Sequence, residues 1–275
     1  MLRKLIKYDL KAMNRYLIII HVFMLSACVL IRVFLTGRLF AEGVDFNSQK
    51  YFLPLVLFFT LFTILISMMA FATHLVIAIR FYKNLFSSEG YLSHTLPVTS
   101  GQHLLSKTIS GSIWGIINMI SLHIALFIVA ATPYVISFVS ENKAEIMEKL
   151  GFTGSRPSGS FLGFLLLYIV VCLIGTATNV ILFYSAITIG QLISGHKILG
   201  AIAAYFVINT TVSVAALIIT AYTGLLGASM NLSTAVDSIK YLKDSLIMNG
   251  IFSFIQTAVL YLVIYWIMKK KVNLD

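Results

Sequence analysis

The sequence predicts an all-α integral membrane protein: an amphipathic cytoplasmic interfacial helix, then six transmembrane helices, with both termini cytoplasmic. Three observations carry this. Six apolar stretches, about 16–35, 51–79, 108–136, 160–189, 198–226 and 247–268, each reach the ~20 residues that a helix needs to cross a bilayer. None of the ten Asp and Glu residues falls inside them, and the only formal charge within any is Arg32, close enough to one end to snorkel. Finally, the net charge of +10 is placed unevenly. The N-terminus, 80–107, 190–197 and the C-terminal tail together hold twelve Lys/Arg against three Asp/Glu, whereas the other side, Arg32 included, holds eight against seven. Basic residues stay cytoplasmic during insertion, so both termini are expected inside, and an even number of spans requires them to share a side.

Composition sets the outer bounds. The chain is 59% hydrophobic and only 11% charged, less than half the ~25% charged residues of a soluble domain. The longest connections, 80–107 and 137–159, leave no room for a second globular domain, so residues 1–275 read as one membrane domain. Cys28 and Cys172 both fall within apolar stretches and read as small packed hydrophobes rather than a disulfide framework. The basicity is a topology signal, and no nucleic-acid partner is expected.

Residues 2–16 form the interfacial helix. At 100° per residue Leu2, Leu5, Ile6, Leu10, Met13, Tyr16 and Leu17 share one face, and Arg3, Lys4, Lys7, Lys11 and Arg15 share the other. Asp9 interrupts the apolar face. Two accounts stay open: a tolerated polar residue near the helix edge, or a salt bridge to a basic residue of 80–107 or of a partner. Leu25-Ser26-Ala27-Cys28 resembles a lipoprotein cleavage site. The residues after Cys28 remain apolar and the basic segment is long, so a retained first helix is expected.

The second stretch, 29 residues from 51 to 79, makes a helix of about 43 Å, longer than the hydrocarbon core, so it tilts or projects. The following segment, Arg80-Phe81-Tyr82-Lys83-Asn84-Leu85-Phe86-Ser87-Ser88-Glu89-Gly90-Tyr91-Leu92-Ser93-His94-Thr95-Leu96-Pro97-Val98, is too aromatic for a plain solvated linker. It reads as a short helix with a stop and as a docking surface. Thr99 and Gln102 then stand at capping-box spacing for a new helix. Residues 137–159 are expected to be partly helical at most, and a short amphipathic helix is expected around Val236–Leu242. Gly111/Gly115 and Gly159/Gly163 have the spacing of close helix packing. No internal repeat is found.

The absent chemistry is informative. There is no GxxxxGK[ST] phosphate loop, since His196 separates Gly195 from Lys197 where the motif needs the lysine, and there is no HExxH. His21, His74 and His123 lie on different spans, and each reads as a neutral histidine bonded to backbone or to a neighbouring hydroxyl, so no metal is expected. Asn118, His123, Asn179, Asn209 and Gln256 are the deep polar groups. They are candidates for lining a translocation path, and interhelical hydrogen bonding is the simpler account of any one. Gradient-driven carriers usually hold a carboxylate near the midplane, and an intramembrane protease needs an acid or a paired nucleophile; neither is present within the spans.

The basic N-terminal helix, the six spans and the motifs Arg80-Phe81-Tyr82-Lys83, Glu89-Gly90-Tyr91-Leu92, Thr95-Leu96-Pro97-Val98 and Ser106-Lys107 together resemble the permease subunits of bacterial type-2 ABC exporters. The likeness is to the Gram-positive branch, whose exporters of phenol-soluble modulins and related amphipathic peptides are the nearest in layout. Antibiotic-resistance exporters share that branch. The likeness spans the chain in layout, and its sharp part is 80–107. It implies a multi-pass subunit of the bacterial plasma membrane, with no catalytic activity or bound cofactor of its own. It would work as a pair of permease chains, identical or related, with two cytoplasmic ATPases that hold ATP and Mg. It also implies a coupling helix around Leu85–Leu96, with Leu85, Phe86, Glu89, Gly90, Tyr91 and Leu92 as the ATPase contact, and a minor role for Gly190–Lys197. Two other classes stay open: an ion-gradient-driven secondary transporter, and a membrane sensor or assembly factor that moves no cargo.

Overall fold

The computed structural model describes residues 2–37, 49–87, 89–90, 95, 97–153, 159–193, 195–230 and 235–270. Among the described residues every regular element is helical. They are α1 (Leu2–Ile31), a π-helical turn (Arg32–Thr36), α2 (Gln49–Phe86), α3 (Ser100–Ala130), α4 (Pro133–Glu141), α5 (Lys143–Lys149), α6 (Phe161–Gly190), α7 (Lys197–Tyr222), α8 (Leu225–Met230) and α9 (Ala235–Lys270). Six helices are long and apolar enough to cross a membrane: α1 with its π turn, α2, α3, α6, α7 and α9. Large apolar side chains such as Phe23, Phe52, Phe127, Val207 and Leu262 point outward along them. Water would not tolerate that surface and lipid would, so the chain is a multi-pass membrane protein.

Helix boundaries follow local chemistry, with several departures from expectation. Residues 2–16 are not a separate interfacial helix but the first half of α1. No Gly or Pro interrupts Leu2–Ile31, so nothing breaks the helix where the basic segment meets the span. Its basic face, Arg3, Lys4, Lys7, Lys11 and Arg15, is exposed, while Met13 and Leu17 of the other face are buried against protein. Thr99 caps α3 with both bonds of the capping box: the Gln102 N–H donates to Thr99 Oγ1 (3.3 Å), and the Thr99 N–H donates to Gln102 Oε1 (3.1 Å). The third span stops at Ala130 because Pro133 begins a new helix, α4, capped by Thr132. The short helix expected around Val236–Leu242 is instead the start of α9, which runs unbroken to Lys270.

Arg32 does not stand alone at the end of its span. Its Nη2 donates to the Ala131 carbonyl at 2.6 Å, placing a cation at the C-terminus of α3. Cys28 is fully buried beside Met24, in a cluster that also holds Phe58, Phe62, Met69 and Ala125.

α6 is the hub, packing on α9, α7, α3 and α2, while α1 packs on α3 and α2. Small residues set the distances. A Cβ at Gly111 would lie 2.8 Å from Tyr184 Oη and from Val180, and one at Gly115 would lie 3.3 Å from Thr176, so this glycine pair is where α3 meets α6. The other pair does not pack: Gly159 has open space around it, and Gly163 meets only Ser160, the cap of its own helix. α6 joins α9 through Thr178, whose Oγ1 lies 2.7 Å from Thr257 Oγ1 and 3.2 Å from the Ser253 carbonyl. α7 is held differently. It leans on α6 and α8, and Gly200 is its only buried residue.

Candidate functional site

Asp9 is the centre of the best-built polar site. The α1 apolar face carries it into the bundle, where a lone carboxylate would be strongly destabilising. Lys107 Nζ donates to Oδ1, Ser106 Oγ donates to Oδ2 (3.1 Å), and Asn84 Nδ2 reaches Oδ1 at 3.5 Å. Both charged side chains are only 6% exposed. Tyr184, stacked on Phe81, donates to the Lys107 carbonyl at 3.1 Å, which adds α6 to the same cluster. Asp9 is therefore a buried ion-pair partner, not a tolerated edge residue. Asn84 sits in the last turn of α2, and Ser106 and Lys107 in the second turn of α3. One carboxylate thus ties together α1 and the two helix ends that flank the 87–99 connection.

The residues expected to contact a partner through that connection divide. Leu85 and Phe86 are the buried end of α2, packed with Phe81, Leu104 and Ile264, so they are not surface contacts. Their positions complete the apolar face of a helix that continues beyond the second apolar stretch. Gly90 is also buried: its N–H donates to the Ser87 carbonyl (2.7 Å), and a Cβ there would lie 2.7 Å from the Leu85 carbonyl oxygen. The chain folds back so tightly over Leu85 that only glycine fits. Glu89 is exposed, 3.4 Å from Arg80 Nη1. Tyr91 and Leu92 lie outside the described residues.

The five deep polar candidates are not brought onto one surface. Asn118 is buried between α2 and α3, where its Oδ1 accepts from Thr73 Oγ1 at 3.3 Å. His123 Nδ1 lies 2.7 Å from the Met119 carbonyl, and its Nε2 lies 2.7 Å from Tyr168 Oη on α6. Asn179 bonds back to the Gly175 carbonyl of its own helix at 3.0 Å. His21 and His74 follow the same local pattern, each with Nδ1 against the carbonyl four residues earlier. Gln256 lines a cleft of about 430 Å³ whose polar walls include Ser213, Thr220, Tyr241, Ser245 and Asn249. Asn209 is one helical turn before Ser213 on the same face of α7. The cleft therefore lies between α7 and α9, on the far half of the bundle from Asp9. Its groups are hydroxyls and amides, suited to hydrogen bonding an uncharged polar surface. Among the described residues no three His, Cys, Asp or Glu side chains converge.

The sequence marks Ser106-Lys107 only as part of the resemblance and Lys107 only as one of several basic residues open to Asp9, and it does not mark Tyr184 at all. Lys107 reads there as the edge of a loop, although the Thr99–Gln102 capping box already places it inside a helix, seven residues from its start at Ser100. Tyr184 carried no signal, since one aromatic in an apolar span looks like any other. With this geometry established, comparison with protein-family models, with curated proteins and with solved structures yields no match.

Proposed function

We propose that this chain is the transmembrane subunit of an ATP-driven ABC exporter of the bacterial plasma membrane, exporting hydrophobic or amphipathic peptides. In this reading two such permease chains, identical or related, form the path. Two separate cytoplasmic ATPases, which hold the ATP and Mg, drive it from the basic end. The observation that carries the proposal is the bonding of Asp9 to Asn84, Ser106 and Lys107. A push on the 87–99 connection would move α1, α2 and α3 as one body, because both ends of that connection share a buried carboxylate. The exposed Glu89 is the charge on this connection that a basic groove on the ATPase would meet.

The cargo class rests on the spans. None of the six apolar stretches within them carries a carboxylate, which disfavours coupling to a proton or sodium gradient and suits a greasy or amphipathic cargo. The hydroxyls and amides of the α7/α9 cleft would receive its uncharged polar groups.

The test is reconstitution in liposomes with an amphipathic helical peptide as cargo. Movement is expected only with a soluble ATPase bearing a GxxxxGK[ST] loop and with ATP. Glu89→Lys should weaken co-purification of that ATPase while leaving the thermal midpoint of the purified chain unchanged. Cargo movement by this chain alone, under a proton or sodium gradient, would refute the proposal.

A further inference from the structure

The Lys197 end of α7 carries a surface of opposite character. An apolar groove of about 460 Å³ runs between Phe71 and Leu75 of α2, Phe183 of α6, and Ile198 and Ile202 of α7. It extends along α2 from Phe71 to Tyr82, about 16 Å at 1.5 Å per residue, or roughly half of a ~30 Å hydrocarbon core. The groove is thus one leaflet deep.

Its chemistry changes at the basic end. Polar side chains enter the lining there as Tyr82, Gln191 and Lys197. An adjoining cavity of about 490 Å³ shares Tyr82, Lys197 and Ile198 with the groove and adds Gly195 and His196. Among the described residues no carboxylate lines either cavity. A hydrocarbon slot that opens onto a cation-bearing vestibule at headgroup depth matches an amphiphile with a fatty chain and an anionic head. A second copy of this chain fits less well. Its six apolar stretches carry no carboxylate to place beside Lys197, and among the described residues at the basic end Asp9 and Glu89 already face Lys107 and Arg80.

We propose that this groove holds one acyl chain of an anionic phospholipid from the leaflet at the basic end, with the phosphate against Lys197 and His196. This requires only that the chain spans a membrane, and it stands apart from the exporter reading.

The test is native mass spectrometry of the full-length chain in detergent, offered phosphatidylglycerol and phosphatidylcholine of the same chain length at equal concentration. Wild type should retain phosphatidylglycerol about fivefold over phosphatidylcholine, the preference expected of one lysine near an anionic surface. Lys197→Gln should erase that preference while still holding lipid. Ile202→Trp, which fills the slot from an exposed wall position, should lose both adducts. Leu75→Trp does the same from the opposite wall should the first variant fail to fold. Equal retention of the two lipids by wild type, or adducts unaffected by both tryptophans, overturns the proposal. So does a wild-type dimer that carries no lipid and that either tryptophan splits, because a second copy would then cover the groove.

Discussion

The basic end of α1, α2, α3 and α6 and the neighbouring helix α7 solve the same problem in opposite ways. In the first region polar groups are taken inside and matched: Asp9 with Lys107, Ser106 and Asn84, and Tyr184 with the Lys107 carbonyl. Around them Leu17, Ile77, Phe81, Leu85 and Leu104 are packed to near-zero exposure. α7 instead buries a single glycine and meets α6 where Gly190 and Gly200 allow the backbones to touch. Between helices in lipid there is no hydrophobic drive to association, so packing and hydrogen bonds decide which contacts hold. The contrast teaches that the first region is tied together as a block, while α7 is a rail with an apolar groove at its Lys197 end and a polar cleft further along the same face.

The sharpest way to break this contrast is to remove its central charge. Asp9→Ala leaves Lys107 buried without its counter-ion, a change expected to cost about 3–5 kcal/mol and to lower the thermal midpoint in detergent sharply. Adding Lys107→Met should restore most of the loss. An Asp9→Ala chain that melts like wild type would mean the pair does not hold the block together.

Gly190→Ala probes the other region. Its Cβ would lie 2.3 Å from the Ala201 backbone nitrogen, so α7 must shift away from α6. Overpacking of this kind costs about 1–3 kcal/mol. Trypsin should then cut faster at Lys197 while cleavage within α1 stays slow. Accelerated cleavage at both places would show that the two regions are one cooperative unit.

A smaller effect is expected from Asn118→Leu, which removes the bond from Thr73. Interhelical bonds of this type average about 0.6 kcal/mol, so the thermal midpoint should fall slightly and cargo movement should persist. Loss of cargo movement with the midpoint unchanged would instead place Asn118 on the path.

The smallest effect belongs to Glu145 and Lys149 on α5, an exposed pair 2.6 Å apart. The Lys149 side chain bonds the Glu145 carboxyl and holds it below its ordinary range. A lowered folded value means that any stability gained is present above the unfolded carboxylate range and is lost as pH falls through the folded value. Because the pair is fully solvated, Lys149→Ala should leave the acid limb of a pH–stability profile where it was.

Much of the architecture was legible in the chain itself. The six spans follow because a bilayer demands ~20 residues without unpaired charge, and that requirement is met or failed within each segment alone. The α3 start is equally local, since Thr99 and Gln102 satisfy each other's backbone groups three residues apart. The unbroken run of α1 was legible too, in its lack of Gly and Pro, but the charge pattern pointed to an interfacial helix that the structure does not form as a separate element. What only the tertiary structure decided is which faces meet. Asp9 and Lys107 are 98 positions apart. Gly111/Gly115 and Gly159/Gly163 share a spacing, yet only the first pair packs against another helix. α6 and α7 are apolar on every side, so their sequence carries almost no periodic signal of orientation. Rotation of such a helix about its axis is set by the neighbours it packs against, and those are chosen only when the whole bundle assembles.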